Sequence, residues 1–291
     1  MYDHMIDAHQ HFWRITRNDY GWLTPALGTI YRDFMPADLS PLLQANAITQ
    51  TILVQAAPTV AETRFLLEIA RLTPFVAGVV GWIDFEARDA AAQIEHLARD
   101  RKLVGLRPMV QDIEDDDWLL RPALTNAFNA LIDHDLVFDA LVLPRHLGRL
   151  CRLLDRHPRL RVVVDHAGKP HIVERMRGLD PWRAELTAVA ACPSTFCKLS
   201  GLITEAGVGW QVTDLQPYVD WLLNSFGSNR VLWGSDWPVV ELAGGYSRWC
   251  AATATLLNHV APEEREAIRG QTARAVYGLD RRLKSNHREE D

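Results

Sequence analysis

The most regular feature of the chain is a short apolar run that ends in polar residues and is followed by a stretch of helical spacing. Eight such runs can be read: Met5–Phe12, Gln50–Ala56, Val76–Asp84, Leu103–Met109, Val137–Leu143, Arg161–Gly168, Thr195–Gly201 and Arg230–Trp237. Between them, segments such as Ala61–Leu72, Ala87–Arg101, Arg121–His134, Arg145–His157, Asp180–Ala191 and Leu215–Ser225 repeat apolar residues at the helical period. Strands that alternate with helices pair in parallel through right-handed crossovers. Nearly continuous Val, Ile and Leu suits strands covered on both faces. Eight units predict a closed (β/α)8 TIM barrel, a single domain, rather than an open doubly wound sheet. No G-x-G-x-x-G fingerprint follows an early strand to argue for a dinucleotide fold.

Two segments stand outside the repeat. Arg14–Ser40, rich in Trp, Tyr, Pro and Gly, is a long connection after the first strand, on the face where barrel loops carry function. The charged end, residues 284–291, has nothing to bury and is expected to be a disordered tail on a barrel spanning residues 1–283.

Composition narrows the function. With 291 residues, 48% hydrophobic and 23% charged, the chain can build a core without disulfides or a structural metal. A net charge of −6 without a basic block argues against nucleic acid and anionic membranes as partners. Cys151, Cys192, Cys197 and Cys250 form no C-x-x-C pair and read as thiols in a reducing compartment. The first residues lack a signal-peptide pattern, so the expected location is cytoplasmic.

Catalytic residues of a barrel project from the C-terminal strand ends. Alternation puts Asp7, His9 and His11 on one face of the first strand, where two histidines can share a metal or clamp an oxyanion and Asp7 could orient a ring. On the sixth strand the same rule sets His166 in phase with Val162 and Val164, with Gly168 and Pro170 turning the chain and Lys169 at the rim. On the eighth, Asp236 is in phase with Leu232 and Gly234. Burial beside tryptophans is expected to raise its pKa and make it a better base. Gln55, Arg107, Asp139 and Lys198 come from four further strand ends, and Trp82, Trp237 and the loop after the first strand are candidate pocket walls. Arg107, in phase with Leu103 and Gly105, and Lys198 either hold an oxygen-rich substrate or pair with Asp139 and Asp236; both readings stay open.

Asp7-Ala8-His9-Gln10-His11-Phe12, Asp165-His166-Ala167-Gly168-Lys169-Pro170 and Gly234-Ser235-Asp236-Trp237-Pro238 together resemble the amidohydrolase superfamily, and within it the branch of sugar-acid and pyrone lactone hydrolases. The resemblance runs from Met5 to about Leu279. It implies hydrolysis of a sugar lactone of the L-fuconolactone or L-rhamnonolactone kind. Asp236 would activate water and His166, with His9 and His11, would stabilise the oxyanion. Arg107, Lys169, Lys198, Gln55, Trp82, Asp139 and Trp237 would contact substrate. Metal-rich members are expected to carry a carboxylated Lys or Glu on the fourth strand and a His on the fifth. Here Arg107 and Asp139 stand there, which argues against a two-metal site. A single divalent ion such as zinc on His9, His11 and Asp236 is left open, with Asp139 a weaker candidate. The resemblance also implies that no metal is required, an expectation that the Arg107 charge favours. The alternatives are a metal-dependent decarboxylase on the same scaffold and a non-catalytic sugar-acid binding protein.

Overall fold

In the computed structural model, which describes residues 5–174 and 176–284, eight parallel strands run in the order β1 to β8. They are β1 (Ile6–Gln10), β2 (Gln50–Val54), β3 (Val76–Gly81), β4 (Leu103–Leu106), β5 (Val137–Ala140), β6 (Val162–Val164), β7 (Thr195–Leu199) and β8 (Val231–Trp233). The sheet closes on itself at the seam between β1 and β8. His11 N–H donates to Trp237 O at 2.7 Å and Asp236 N–H to His9 O at 2.8 Å. Helices alternate with the strands, so the architecture is the expected single-domain TIM barrel. The tail expected at 284–291 lies, beyond Lys284, outside the described residues.

The strands divide their apolar residues between two cores, as a sheet covered on both faces must. Ile6, Ala8, Ile52, Val54, Val80, Val104, Val137, Val163 and Leu232 fill the barrel interior. The C-terminal segment closes that interior from one end with Ala273, Val276, Tyr277 and Leu279. Leu53, Val79, Leu103, Leu106, Phe138, Val162, Val164, Leu199 and Trp233 face the helical shell.

This division corrects three phase assignments. Val162 and Val164 belong to the outer shell and Val163 to the interior, so the residue that alternation sends inward is Asp165, not His166. In β1, Ile6 and Ala8 are interior, which puts Asp7 on the opposite side from the position expected. One extra residue in β1 between Asp7 and Gln10, relative to β2, resets the phase before His9. In β4 an extra residue opposite Val79 and Val80 does the same, and Arg107 is not in phase with Leu103. The helix Pro36–Ala45 begins inside the Arg14–Ser40 connection and runs five residues beyond it.

Candidate active site

His9, His11, His166 and Asp236 meet at the C-terminal mouth of the barrel. Each arrives there by a different local device. The β1 bulge aims His9 inward, and its N–H is held by Asp7 Oδ1 at 3.1 Å. Asp7 also accepts from Ser235 N–H at 2.8 Å and Tyr246 OH at 3.0 Å. It therefore locks the seam and does not orient a ring, as had been expected of it. His166 reaches the site because the chain turns left-handed after Asp165: His166, Ala167 and Lys169 have φ of 53°, 51° and 53°. Such values are costly for non-glycine residues and persist where the surroundings over-determine them. Asp236, with φ 61°, follows β8 in the same backbone region. Two glycines make room for the rings. A Cβ on Gly234 would sit 2.7 Å from His9 Cβ, and one on Gly201 2.6 Å from His166 Nδ1.

One oxygen of Asp236 gathers the three imidazoles. Its Oδ1 is 3.3 Å from His11 Nε2, 3.6 Å from His9 Nε2 and 3.9 Å from His166 Nε2. His11 Nδ1 is 2.8 Å from Val54 O, so that nitrogen carries the proton and Nε2 turns its lone pair toward the carboxylate. A bare ring nitrogen and a carboxylate oxygen 3.3 Å apart repel unless a proton or a cation lies between them. His166 Nδ1 bonds Ser200 Oγ at 2.9 Å, which leaves its Nε2 facing the cleft.

Beneath these groups lies a buried charge network. Lys198 is fully buried, with Nζ 2.5 Å from Asp139 Oδ2, 2.9 Å from Asp165 Oδ1 and 3.2 Å from His9 Nδ1. Arg107 Nη1 is 3.2 Å from Asp165 Oδ2, and Nη2 donates to Gln55 O. Tyr277 OH donates to Asp139 at 2.8 Å from below. The ion-pair reading of Arg107 and Lys198 is thus correct in kind, but Asp165 is the shared partner and Asp236 is not involved.

Equal burial has unequal consequences for the three acids. Burial pushes Asp139 up to about 6, since Asp165 competes for the same ammonium and repels it. Asp165, equally buried, is held well below the usual range by Lys198, His9 and Arg107. For Asp236, burial is the largest single influence and acts upward. The positive charge that His166, His11 and His9 carry when protonated at low pH, together with the hydrogen bond His11 can then donate, outweighs it and holds the carboxyl below the usual range. This overturns the expectation that tryptophan packing makes Asp236 a stronger base. Burial lowers His166 to about 4 and His9 well below its ordinary value, so both rings are neutral near pH 7.

A cleft of about 180 Å3 opens above this floor. Arg107, His11, His166, Lys169 and Asp236 reach it, as expected of them. Gln55, Trp82, Asp139, Lys198 and Trp237 are not among its lining residues. Gln55 instead donates to Arg107 O at 2.8 Å. Trp82 has its backbone N–H and C=O both on Thr63 Oγ1 at 2.7 Å. Trp237 is packed edge-on between Phe12 and Phe34. The aromatic wall is Trp22, whose Nε1 donates to Ala56 O at 2.7 Å. Met109, Gln111, Asp112 and Leu141 also line the cleft. At the rim Lys169 faces Glu205 at 3.7 Å. Asp165 and Ser200 are not singled out by motif reading, although Asp165 has a signal in its phase with Val163, whereas Trp22 belongs to the loop after the first strand that is expected to wall the pocket.

His9, His11 and Asp236 place one ligand atom each within 4.8 Å of one another, and so do His9, Asp165 and His166. The second set already has the Lys198 ammonium against two of its members. The first has the opposed lone pair and carboxylate described above, and its imidazole-carboxylate chemistry suits zinc. The argument that Arg107 repels a cation weakens, because Asp165 takes up that charge.

A (β/α)8 barrel with paired histidines on β1, a histidine after β6 and an aspartate after β8 defines an amidohydrolase-type site. The chain belongs to the Amidohydrolase family, whose pattern matches residues 6–279. It is 46% identical to the L-fucono-1,5-lactonase of Burkholderia ambifaria, over 97% of this chain and 98% of that enzyme. It is 38% identical to the L-fucono-1,5-lactonase of Burkholderia multivorans, over 94% and 96%. Among solved structures, an amidohydrolase from Burkholderia multivorans with bound zinc superposes with a TM-score of 0.90 at 38% identity, over 95% of this chain and 99% of that one.

Proposed function

We propose that this protein is a sugar-lactone hydrolase that opens L-fucono-1,5-lactone or a closely related aldonolactone to the sugar acid. The observation that carries the reading is the full-length likeness to an L-fucono-1,5-lactonase. The site chemistry supports it. Asp236 is ionised at working pH and, within reach of the cleft, takes a proton from the water that attacks the ring carbonyl. Because its basicity is lowered, its effect rests on placement more than on proton affinity. His166 is neutral, and with Ser200 Oγ on Nδ1 it can offer Nε2–H to the developing oxyanion. Arg107, at the floor, adds positive potential there. The proton held by Asp236 then passes to the departing ring oxygen. Lys169 meets hydroxyl or carboxylate oxygens at the mouth, and Trp22 supplies an apolar face for the ring.

His9, His11 and Asp236 would hold a single divalent ion such as zinc, which when bound would supply Lewis acidity at the same carbonyl. A cytoplasmic setting is part of the proposal, supported by four free thiols. Among the described residues no helix is long and apolar enough to cross a membrane.

The test is direct. Purified protein is mixed with L-fucono-1,5-lactone in weak buffer and acid release is followed with a pH indicator, after subtraction of spontaneous opening. Acceleration that saturates with substrate is expected. A rate equal to the spontaneous one, across a panel of aldonolactones, would remove the proposal.

A further inference from the structure

Lactone opening changes the charge of what the cleft holds. The substrate is neutral and the product is a carboxylate, so a cation at the mouth attracts product more strongly than substrate. Two cations, Arg107 and Lys169, are among the lining residues. Arg107 has its charge taken up by Asp165 at 3.2 Å, both side chains being buried. Lys169 stands at the rim on a fixed backbone: φ is 53°, its N–H donates to His166 O at 2.8 Å and Pro170 follows. Its ammonium faces Glu205 Oε1 at 3.7 Å, with the two side chains 23% and 25% exposed. At that separation the two groups form an ion pair without a direct hydrogen bond, and each charge stays open to a competitor. Glu205 ends the short helix Leu202–Glu205 after β7, which is anchored by buried Leu202 and Ile203. Burial raises the Glu205 carboxyl above its ordinary value; the Lys169 ammonium opposes the rise, Asp236 adds to it and His171 opposes it. Glu205 therefore shares the electric field of the mouth without lining the cleft itself.

We propose that Glu205 is a positioning residue that holds the Lys169 ammonium at the mouth and competes there with the carboxylate of the product, so that the sugar acid is released. This inference rests on the lactonase reading and gives the loop after β7 a part in product release. Glu205 takes no part in proton transfer. A neutral lactone meets Lys169 through its hydroxyl oxygens, and that contact depends little on the charge of Glu205. An anionic product has to replace Glu205 as the partner of the ammonium. With Glu205 uncharged the competition ends and the product stays longer. Asp236, ionised and without a lysine or arginine among its ion-pair contacts, repels the same carboxylate from the floor.

The experiment measures product inhibition of the intact protein. Wild type, Glu205→Gln, Lys169→Met and the double variant open L-fucono-1,5-lactone in the presence of added L-fuconate, the acid it yields. The assay is run at about pH 8, above the ordinary glutamate range. The quantity read is the inhibition constant of the acid set against KM of the lactone. For Glu205→Gln the inhibition constant is expected to fall about two- to fivefold, the size of effect that a partly exposed ion pair supports, while KM changes less. For Lys169→Met it is expected to rise, and in that background Glu205→Gln should have no further effect. A merely structural role would move the inhibition constant and KM together. That result overturns the proposal, as does an unchanged inhibition constant in Glu205→Gln or a fall that persists without Lys169. Wild-type protein that opens no aldonolactone overturns the lactonase reading and this inference with it.

Discussion

At the scale of single residues, the site depends on which buried charges have partners. Asp236 is the only acid of the network with no lysine or arginine among its ion-pair contacts. Asp236→Asn keeps the volume and removes the proton acceptor. Lactone turnover is expected to fall about 10²–10⁴-fold with unchanged circular dichroism. Near-wild-type turnover in a folded variant would assign the base elsewhere. Lys198 belongs to the other kind of residue. It is buried under His9 with two carboxylates, and Lys198→Met leaves Asp139 and Asp165 without their shared ammonium. Breaking a buried pair from one side destabilises by about 3–5 kcal/mol, which urea unfolding would register. A loss well below 1 kcal/mol would mean that Arg107 and Tyr277 hold the two acids by themselves. Motif reading found His9, His11, His166 and Asp236, because a histidine pair at the start of a barrel and an aspartate at its last strand are local patterns. It did not find Asp165 as the hub, since a carboxylate's partners come from β4 and β7, far away in the chain.

At the scale of elements, small irregularities decide which side chains face the cleft. The β1 bulge and the left-handed turn after β6 both break strict alternation at the point where function begins. Assignments that assumed unbroken alternation therefore failed at Asp7, His166 and Arg107 and held at Asp236, where Leu232 is interior and Gly234 meets His9. The long loop after β1 is fastened by Glu62, at the start of the helix Val60–Leu72. Its carboxylate accepts from Ala56 N–H at 3.2 Å and Tyr20 OH at 3.0 Å, and Arg17 is 3.4 Å away. Ala56 also carries Trp22, so Glu62 braces the aromatic wall. Burial pushes Glu62 up from 4.5 to about 7, against the opposing pull of Ala56, Tyr20 and Arg17. A carboxyl raised in the folded state binds its proton more tightly there. Its stabilisation is complete below pH 4.5 and is lost as pH rises through 7. Relative to wild type, Glu62→Gln is therefore expected to gain stability between those values, by up to about 1.4 kcal/mol per pH unit. Denaturant melts of both proteins across that range measure it. A stability difference that does not change with pH would show that Glu62 stays ionised.

At the scale of the whole molecule, the barrel brings groups from every strand but β3 to one floor and seals that floor from below with Tyr277. Its formal charges are Arg107 and Lys198 against Asp139, Asp165 and Asp236, an excess of one negative charge beside His11. With the Lys198 ammonium against the inner ligand set, room is left for one divalent ion. Dialysis against zinc followed by metal analysis should find one ion per chain, and His11→Ala should lose it. The ion should also raise the melting temperature, by an amount equivalent to about 2.7 kcal/mol when free zinc is 100 times Kd. Two ions per chain would contradict the role given to Lys198.

The sequence by itself determined the barrel, since eight apolar runs separated by helical spacing admit few other closures. It also pointed to the four residues at the centre of the mouth, because they stand in short motifs at the strand ends, though the β1 bulge and the left-handed turn after β6 are what aim His9 and His166. The tertiary structure alone decided the rest. Asp165 became the charge hub because Arg107 and Lys198 converge on it from opposite sides. Trp22 replaced Trp82 and Trp237 as the wall because its loop folds back onto Ala56. Asp236 became a weaker base and not a stronger one, because three imidazoles surround one of its oxygens. Each of these outcomes depends on distances between residues remote in the chain. Hydrophobic period carries no information about such distances, and electrostatic energies are set by them.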